Sequence, residues 1–397
     1  MDMEKKYLIV NSGSASEKYA IYAKEKCSAF LHLEKPETGC DFISTLYIDG
    51  KKDEKCITEK EFKNSLDYGI STFKTIGVIS SKEEIVGIGI RIVAPGKYFQ
   101  GDKIIDKTYE KEIKNILQDT PLHILPTYEK ILLLRKIFKN IPIVGVSDSD
   151  FHSTISEKVS NYGLPSQDSE KYNIKKYGYH GISIESILNK LKSEKNSIPS
   201  KLIVCHIGSG VSITAIKDGK SIDTSMGFTP LEGVIMATRA GDIDPGIVAF
   251  ISEKLGLKGK KLKDYLNKKC GLLGISEKSS DVRDLLKMEK EGDTKSKLAL
   301  DMYVYRLQKY IGSYFVSLGG LDTIIFTATV GERSFIMRER ICRGLEVLGI
   351  KIDIEKNNKS EGVDADITAT DSKISVLVLK TNEMDQIARD AVSILGF

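Results

Sequence analysis

Tryptophan is absent from the 397 residues, histidine occurs five times, proline nine times, and the six cysteines (Cys27, Cys40, Cys56, Cys205, Cys270 and Cys342) show neither a CxxC pair nor metal-ligand spacing. That scatter argues against a structural zinc site and a disulfide framework, so free thiols in a reducing cytoplasm are expected. A dominant charge is lacking too. Fifty-nine Lys and Arg against 55 Asp and Glu leave a net charge of +4, too small and too evenly spread for a nucleic-acid or membrane-surface partner. No stretch approaches the roughly 20 apolar residues of a membrane span, and the opening MDMEKKYLIV offers neither a signal-peptide core nor a small-residue cleavage site. Neither GxxxxGK[ST] nor GxGxxG occurs, which disfavours a Walker P-loop kinase and a dinucleotide dehydrogenase. What is present is an ordinary globular composition, 41% apolar and 29% charged, long enough for two domains with their own cores.

The chain opens as strand, Gly/Ser turn and strand: KKYLIV, NSGSAS, EKYAIYA. A like unit recurs where Leu202, Ile203 and Val204 repeat Leu8, Ile9 and Val10 and lead into HIGSGVS and the turn Lys217-Asp218-Gly219-Lys220. Either the chain contains two related halves or two unrelated hairpins coincide; the loop type carries more information than the identity. Segments 85–93 and 141–146 read as strands that deliver charge at one end, in Arg91 and in Ser-Asp-Ser-Asp-Phe-His. Helical spacing over 109–117, 126–138, 183–191, 295–315 and 334–348 alternates with the strands, so the fold class is α/β. A strand over 374–379 precedes a closing helix over 384–394, capped by Thr381 or Asn382. No linker divides the chain. The hairpin repeat places a boundary near residue 150, giving domains 1–150 and 151–383, with the 384–397 helix a candidate to pack back on the first.

Three glycine-bearing loops follow strands: 11–16, Gly208-Ser209-Gly210, and Thr327 through Glu332. Each can turn backbone N–H groups toward phosphate oxygens. Any one alone is an ordinary turn, but three without a Walker loop point to a nucleotide site of another architecture. The densest polar stretch runs from Asp223 to Gly233 and on through Arg239, Asp242 and Asp244. Few structural needs account for those three charges in so Gly- and Pro-rich a segment, a solvated loop being the plain alternative. Arg91 and Arg239 together suit a transferring phosphoryl group and its carboxylate acceptor. His180, framed by glycines in YGYHG, can offer an N–H to equatorial oxygens. His206 either touches a nucleotide phosphate or closes its turn, while His123 and His152 read as structural. Asp148, Asn11 and Glu383 are candidates for a hard cation such as Mg²⁺. Asp281 and Arg283 either pair locally at a helix end or contact a purine or ribose.

Together VNSGSASEKY, RIVAPG, DTPLH, VSDSDFH, YGYHGIS, HIGSGVS, DTSMGFTPLEG, ATRAGDIDP, GLLGISEKSSDVRDL, FTATVGERS, RERIC and TNE resemble the acetate kinase family, within the superfamily of acetate and sugar kinases, actin and heat-shock ATPases. The resemblance covers almost the whole chain, and DTSMGFTPLEG followed by GDIDP is its most specific part. It implies two duplicated actin-like, ribonuclease H-like ATPase domains around a nucleotide cleft, the second also serving dimerisation. The implied activity is reversible, Mg²⁺-dependent, direct in-line transfer of the ATP γ-phosphoryl group to acetate, giving acetyl phosphate and ADP in a cytoplasmic homodimer, with Mn²⁺ as a substitute metal. By position, Asn11 and Glu383 match the metal residues and Lys18 a nucleotide lysine. Arg91 matches the substrate arginine, Asp148 the catalytic acid, and His180 and Arg239 the transition-state stabilisers. The nucleotide-binding positions are His206, Ile207, Gly208, Ser209 and Gly210, then Asp281, Val282 and Arg283, then Thr329, Val330, Gly331, Glu332 and Arg333. Val93, Leu122, Tyr179 and Pro230 match the pocket for the substrate methyl group.

The departures are specific. Ile90 and Ala94 stand where the family carries histidines and Pro95 where it carries glycine; Tyr179 replaces phenylalanine, Ser209 replaces asparagine, and Asp150 is an added acid. Thr329 puts a β-branched side chain at a glycine position, which leaves the phosphoryl donor open. The rival readings are the same fold using propionate, butyrate or a donor such as pyrophosphate, and a nucleotide or acyl-phosphate sensor without turnover. Acetate is ionised at neutral pH and needs no general base, so Asp148 is expected to organise Mg²⁺ and its waters.

Overall fold

A computed structural model of the chain describes residues 5–13, 16–24, 26–36, 39–117 and 121–396, the side chains of 121–123 and 195 excepted. It divides into two compact units, Met1–Asp150 with Asn382–Phe397, and Phe151–Thr381. Asn382 and Glu383 therefore belong with the first unit. No described helix is long and apolar enough to cross a membrane.

The first unit is built on β1 (Lys6–Ser12), β2 (Ser16–Ala23), β3 (Lys26–Glu34), β4 (Phe42–Ile48), β5 (Lys51–Ile57), β6 (Ile85–Ile92), β7 (Lys103–Ile104) and β8 (Ile143–Ser147). They form one sheet in the order β5-β4-β3-β2-β1-β6-β8-β7. Strands β1 to β5 are an antiparallel meander, whereas β6 and β8 run parallel to β1. The second unit repeats the plan with β9 (Lys201–Ile207), β10 (Val211–Lys217), β11 (Lys220–Thr224), β12 (Thr323–Thr327), β13 (Ala365–Asp366) and β14 (Ser375–Val378), in the order β11-β10-β9-β12-β14-β13. Here too the first strand pairs antiparallel with its hairpin partner and parallel with the next crossover strand. Leu8-Ile9-Val10 and Leu202-Ile203-Val204 occupy corresponding strands, all fully buried. This is the duplicated actin-like α/β architecture. The β10–β11 turn has positive φ at Asp218 (50°) and Gly219 (76°), the hand that matches strand twist in a two-residue hairpin loop.

Strands covered on both faces read as continuous apolar runs, which is why β1, β6, β8 and β12 are visible in the sequence. Strand β5 (KKDEKCI) is exposed over its first six residues, and its charges suit a sheet edge that must not recruit another chain. The same polarity hides it from hydrophobic patterning. The expected 334–348 helix is instead a helix over Phe335–Cys342 and a separate turn over Glu346–Leu348. Gln308, on the long helix Thr294–Leu318, donates Nε2 to the carbonyls of Arg340 (3.3 Å) and Ile341 (3.0 Å), removing acceptors the helix would need to continue.

The cysteines depart from expectation. Cys40 and Cys56 form a disulfide, leaving Cys27, Cys205, Cys270 and Cys342 as free thiols. Cys56 faces Ile43 across the β4–β5 pair, and Cys40 lies three residues before Ile43. Antiparallel register therefore brings the two Cα atoms to 5.7 Å, within bridging range. Spacing along the chain does not reveal a pairing created by register, and cysteine usage no longer argues for a reducing compartment.

Two glycines in β6 determine how the helix Glu383–Leu395 packs. A Cβ on Gly89 would lie 2.8 Å from Ala391 Cβ, and one on Gly87 would lie 2.5 Å from Leu395 Cδ1. Bare backbone at alternate positions lets the helix lie directly on β6, with Ile387 and Ala391 buried against it. Gly89→Val is expected to lower the unfolding free energy by about 1–3 kcal/mol through overpacking against Ala391 and Ile387. A wild-type denaturation midpoint in the purified variant excludes this packing account.

Candidate active site

In the first unit, three adjacent parallel strands deliver polar side chains at the same end of the sheet. Val10 pairs with Ile90, and Arg91 with Val146, so Asn11 at the end of β1, Arg91 on β6 and Asp148 just after β8 lie at nearly one level. The Asp148 N–H continues the ladder by donating to the Ile92 carbonyl at 2.9 Å. Arg91 donates Nε to Asp148 Oδ1 (3.0 Å) and Nη2 to Asp148 Oδ2 (2.9 Å), a two-point grip. Its Nη1 lies 3.4 Å from Asn11 Oδ1 and 3.9 Å from Glu383 Oε2. Asn11 Nδ2 in turn donates to Glu383 Oε2 at 2.7 Å. The Asp148 side chain is 1% exposed and that of Arg91 16%. Burial pulls the Arg91 pKa down, but the charges of Asp148 and Glu383 and the paired hydrogen bond outweigh it and the net shift is upward. Lys18 stands directly opposite Asn11 in the β1–β2 pair, on the same sheet face.

The donor set suits a cation of the Mg²⁺ type: carboxylate and amide oxygens on one side, with substrate oxygens and water completing the shell. Among the described residues no group of three or more His, Cys, Asp or Glu could hold a metal, so a closed protein-only cage is not what this cluster offers.

In the second unit, His180 caps the helix Gly181–Lys195 from a left-handed backbone conformation, φ 65°. Its Nδ1 lies 3.0 Å from Ser212 Oγ on β10. Its ring stacks on that of His206 at 4.0 Å between centroids and 22° between planes, and His206 Nδ1 lies 2.8 Å from Ser183 Oγ. The Gly208-Ser209-Gly210 turn brings these groups near Arg239: a Cβ on Gly210 would lie 3.4 Å from His180 Nε2 and 3.5 Å from Arg239 Nη1. Arg239 is itself held by donating Nη1 to the Pro230 carbonyl at 3.1 Å. An imidazole nitrogen and a guanidinium thus flank one small space, an arrangement that can compensate charge on a transferring oxyanion. Ser183 and Ser212 are supports that motif reading missed. Both lie inside quoted motifs, YGYHGIS and HIGSGVS, and only the fold shows which imidazole each serves.

The acetokinase family profile matches residues 6–389. The acetate kinase of Carboxydothermus hydrogenoformans is 42% identical over 400 residues, covering 98% of this chain and 99% of that protein. The chain belongs to the acetokinase family. Among solved structures, Porphyromonas gingivalis acetate kinase superposes with a TM-score of 0.83 at 34% identity, covering 98% of this chain and all of that one. A propionate kinase from Francisella tularensis subsp. tularensis gives 0.86 at 33%, with the same coverage. As a member of this family, the chain is a phosphotransferase with a carboxyl group as acceptor.

Several residues singled out in this acetokinase sequence have a structural explanation. Asp244 caps the helix Pro245–Lys254 by accepting the Gly246 N–H at 2.8 Å. Asp242 accepts the Gly233 N–H at 2.8 Å and the Tyr310 hydroxyl at 2.5 Å. Structural needs thus do account for both aspartates, contrary to the sequence argument. Asp281 caps the helix Val282–Lys290 and pairs with Arg283 at 2.7 Å, the Arg283 side chain remaining 67% exposed. His152 is enclosed between Ser221 Oγ (2.9 Å) and the Tyr179 carbonyl (3.0 Å), and burial lowers its pKa to about 4. The Tyr179 hydroxyl that replaces a hydrogen is spoken for, donating to the Phe228 carbonyl at 2.8 Å. At Gly227 a Cβ would displace the Glu232 carboxylate and the Tyr162 hydroxyl, which bond each other across that space.

At position 329, where threonine stands for the family's glycine, the backbone is unstrained. The left-handed residue of that turn is Ala328, φ 64°, and Thr329 has no positive φ. Glu332 accepts the Ala328 N–H at 2.9 Å and the Thr381 N–H at 3.2 Å, so its carboxylate serves the turn. Ile90 and Ala94 belong to the apolar core of the first unit, and Pro95 is buried as well. Val93 lies in the first unit, Tyr179 and Pro230 in the second. The side chains of Leu122 and His123, and residues 14 and 15, lie outside the described residues.

The first unit also holds a group of three interacting acids. Burial pushes Asp102 up to about 6, the Asp150 charge adding to it; burial, then the Asp102 charge, push Asp390 up to about 7. Gln386 donates to Asp390 Oδ1 at 2.9 Å, while Oδ2 is buried without a partner among the described residues. The folded chain keeps the Asp390 proton to about pH 7, whereas the unfolded chain releases it near 3.9. This contribution to stability is therefore complete below about pH 4 and lost as the pH rises through 7. Asp390→Asn is expected to unfold at a higher temperature than wild type at pH 8 and at the same temperature near pH 4. Equal midpoints at both pH values count against it.

Proposed function

We propose that the chain is an acetate kinase, transferring the γ-phosphoryl group of ATP directly and reversibly to acetate with Mg²⁺. The observation that carries this reading is the convergence of Asn11, Arg91, Asp148 and Glu383 from four separate elements. A carboxylate oxygen of acetate attacks the γ-phosphorus; the new O–P bond forms as the bond to the β,γ-bridging oxygen breaks, and ADP leaves with that electron pair. No proton moves, because the acceptor is already ionised. Catalysis is then a matter of placement and charge compensation. Arg91 addresses the acceptor carboxylate, its guanidinium plane set by Asp148. His180 Nε2 and Arg239 address the transferring oxygens. Mg²⁺, held through Asn11 and Glu383 with Asp148 ordering its waters, would neutralise phosphate charge. Lys18, His206 through Gly210, Asp281 through Arg283 and Thr329 through Arg333 are assigned to the nucleotide, and Val93, Leu122, Tyr179 and Pro230 to the acyl methyl group. Propionate is the second acceptor to weigh, since a propionate kinase is among the similar structures.

The enzyme is proposed to be a cytoplasmic homodimer. The helix Pro245–Lys254 buries no residue within the chain, although Ile247 and Phe250 are 47% and 58% exposed. Ile247 lines a groove of about 290 Å³ together with Ile235, Ile251, Leu266, Ile275 and Met302. Such a patch beside a complementary groove suits a two-fold contact with a second copy. Sedimentation equilibrium is expected to give twice the chain mass for wild type and the single-chain mass for Phe250→Glu; a monomeric wild type overturns the dimer.

The activity is tested by trapping acyl phosphate with hydroxylamine, crossing acetate, propionate and butyrate with ATP, GTP and pyrophosphate in the presence of Mg²⁺. The fastest product is expected from acetate and ATP. Turnover confined to another pair reassigns the substrate, and nucleotide binding without turnover makes the chain a sensor. Asp148→Asn is expected to cost roughly 100-fold in rate and to flatten the response to Mg²⁺ concentration. Unchanged Mg²⁺ dependence with a shifted pH profile would instead give Asp148 a role in proton transfer.

A further inference from the structure

Arg338 is fully enclosed, the largest side chain among the described residues to be so. It donates six hydrogen bonds, all to neutral oxygens. Burial lowers its pKa to about 10, so it remains a cation at neutral pH. As a stability device that arrangement is poor, because an apolar side chain of similar volume commonly serves as well as a buried charge. What only a guanidinium supplies is a rigid plane of five N–H donors, and here that plane joins two segments. Nη1 reaches the carbonyls of Gly331 (2.8 Å) and Glu332 (3.0 Å), at the end of the short helix Ala328–Arg333. On the other side, Nε reaches Asn357 Oδ1 (2.8 Å) and Nη2 the carbonyls of Asn357 (3.1 Å) and Ser360 (2.8 Å) and Ser360 Oγ (2.9 Å). Asn357 and Ser360 lie on and just after the helix Ile354–Lys359.

Six residues of helix have little rigidity of their own, and their last carbonyls have no intrahelical partner. Here those carbonyls are gripped by Arg338, and the Gly362 N–H adds a 3.0 Å bond to the Glu332 carbonyl. A cation on a carbonyl also polarises the peptide unit it belongs to, making the N–H groups of Glu332 and Arg333 better donors. We infer that Arg338 is a positioning residue for the phosphoryl donor: without touching nucleotide, it sets the Gly331–Arg333 backbone and thereby governs nucleotide affinity separately from acceptor affinity. This rests on the assignment of 329–333 to the nucleotide made above.

The test compares Arg338→Lys, which keeps the charge but cannot hold both segments, with Ser360→Ala, which removes the Ser360 Oγ bonds to Arg338 and to the Asn357 carbonyl and leaves the buried arginine otherwise paired. Both are first shown to unfold cooperatively, and KM is then measured separately for ATP and acetate. Arg338→Lys is expected to raise the ATP KM roughly tenfold and to leave the acetate KM within about twofold; Ser360→Ala shifts the ATP KM the same way by about two- to threefold. If Arg338→Lys does not fold, the Ser360→Ala shift decides. Unchanged ATP KM in the folded variants, or equal increases for both substrates, overturns the inference while leaving the kinase assignment in place. A wild type that binds and turns over no nucleotide overturns both.

Discussion

A guanidinium held between two carboxylates organises the first unit. Arg91 is mostly enclosed by protein, and an isolated charge there would be strongly unfavourable. Asp148 offsets that cost with two hydrogen bonds and Glu383 with a charge 3.9 Å away, each arriving from its own element. Adjacent parallel strands supply Arg91 and Asp148, the hairpin strand beside them supplies Asn11, and the helix over the glycines of β6 supplies Glu383. Sheet order, the absence of side chains at Gly87 and Gly89, and the position of the helix are thus conditions on one electrostatic arrangement.

The second unit uses the same strand plan for a different purpose. Its hairpin turn is glycine-bearing so that His180 and Arg239 can approach a common space, and each of the stacked imidazoles meets a serine hydroxyl. The duplicated strand plan therefore carries a carboxylate–guanidinium cluster in one unit and an imidazole pair beside a guanidinium in the other.

The elements most legible in the sequence were those with both faces covered. Continuous apolar runs revealed β1, β6, β8 and β12, and the polar residue ending each run was already the one to watch. Strand β5 was obscured because an exposed edge is written in polar residues, and the Cys40–Cys56 bridge because it depends on register. In the polar loops, residue type misled where backbone geometry decides. Asp242 and Asp244 resemble ligands by composition yet satisfy N–H groups of turns and caps. At the third glycine-bearing loop the strained residue is Ala328, a position that side-chain patterns do not mark, whereas Thr329 carries no strain.

Asn11 and Glu383, joined by a hydrogen bond, are separated by 372 positions along the chain. A ribosome adding about 5–20 residues per second takes on the order of 20–75 s to make that interval. From the synthesis of β6 onward its glycine-lined surface stands without the helix that covers it in the folded molecule, and once residue 148 is made the Arg91–Asp148 pair stands without its third charge. The first unit to emerge is therefore the last to be completed, and the nascent chain passes through a long interval in which that buried strand face is open to solvent and to chaperones.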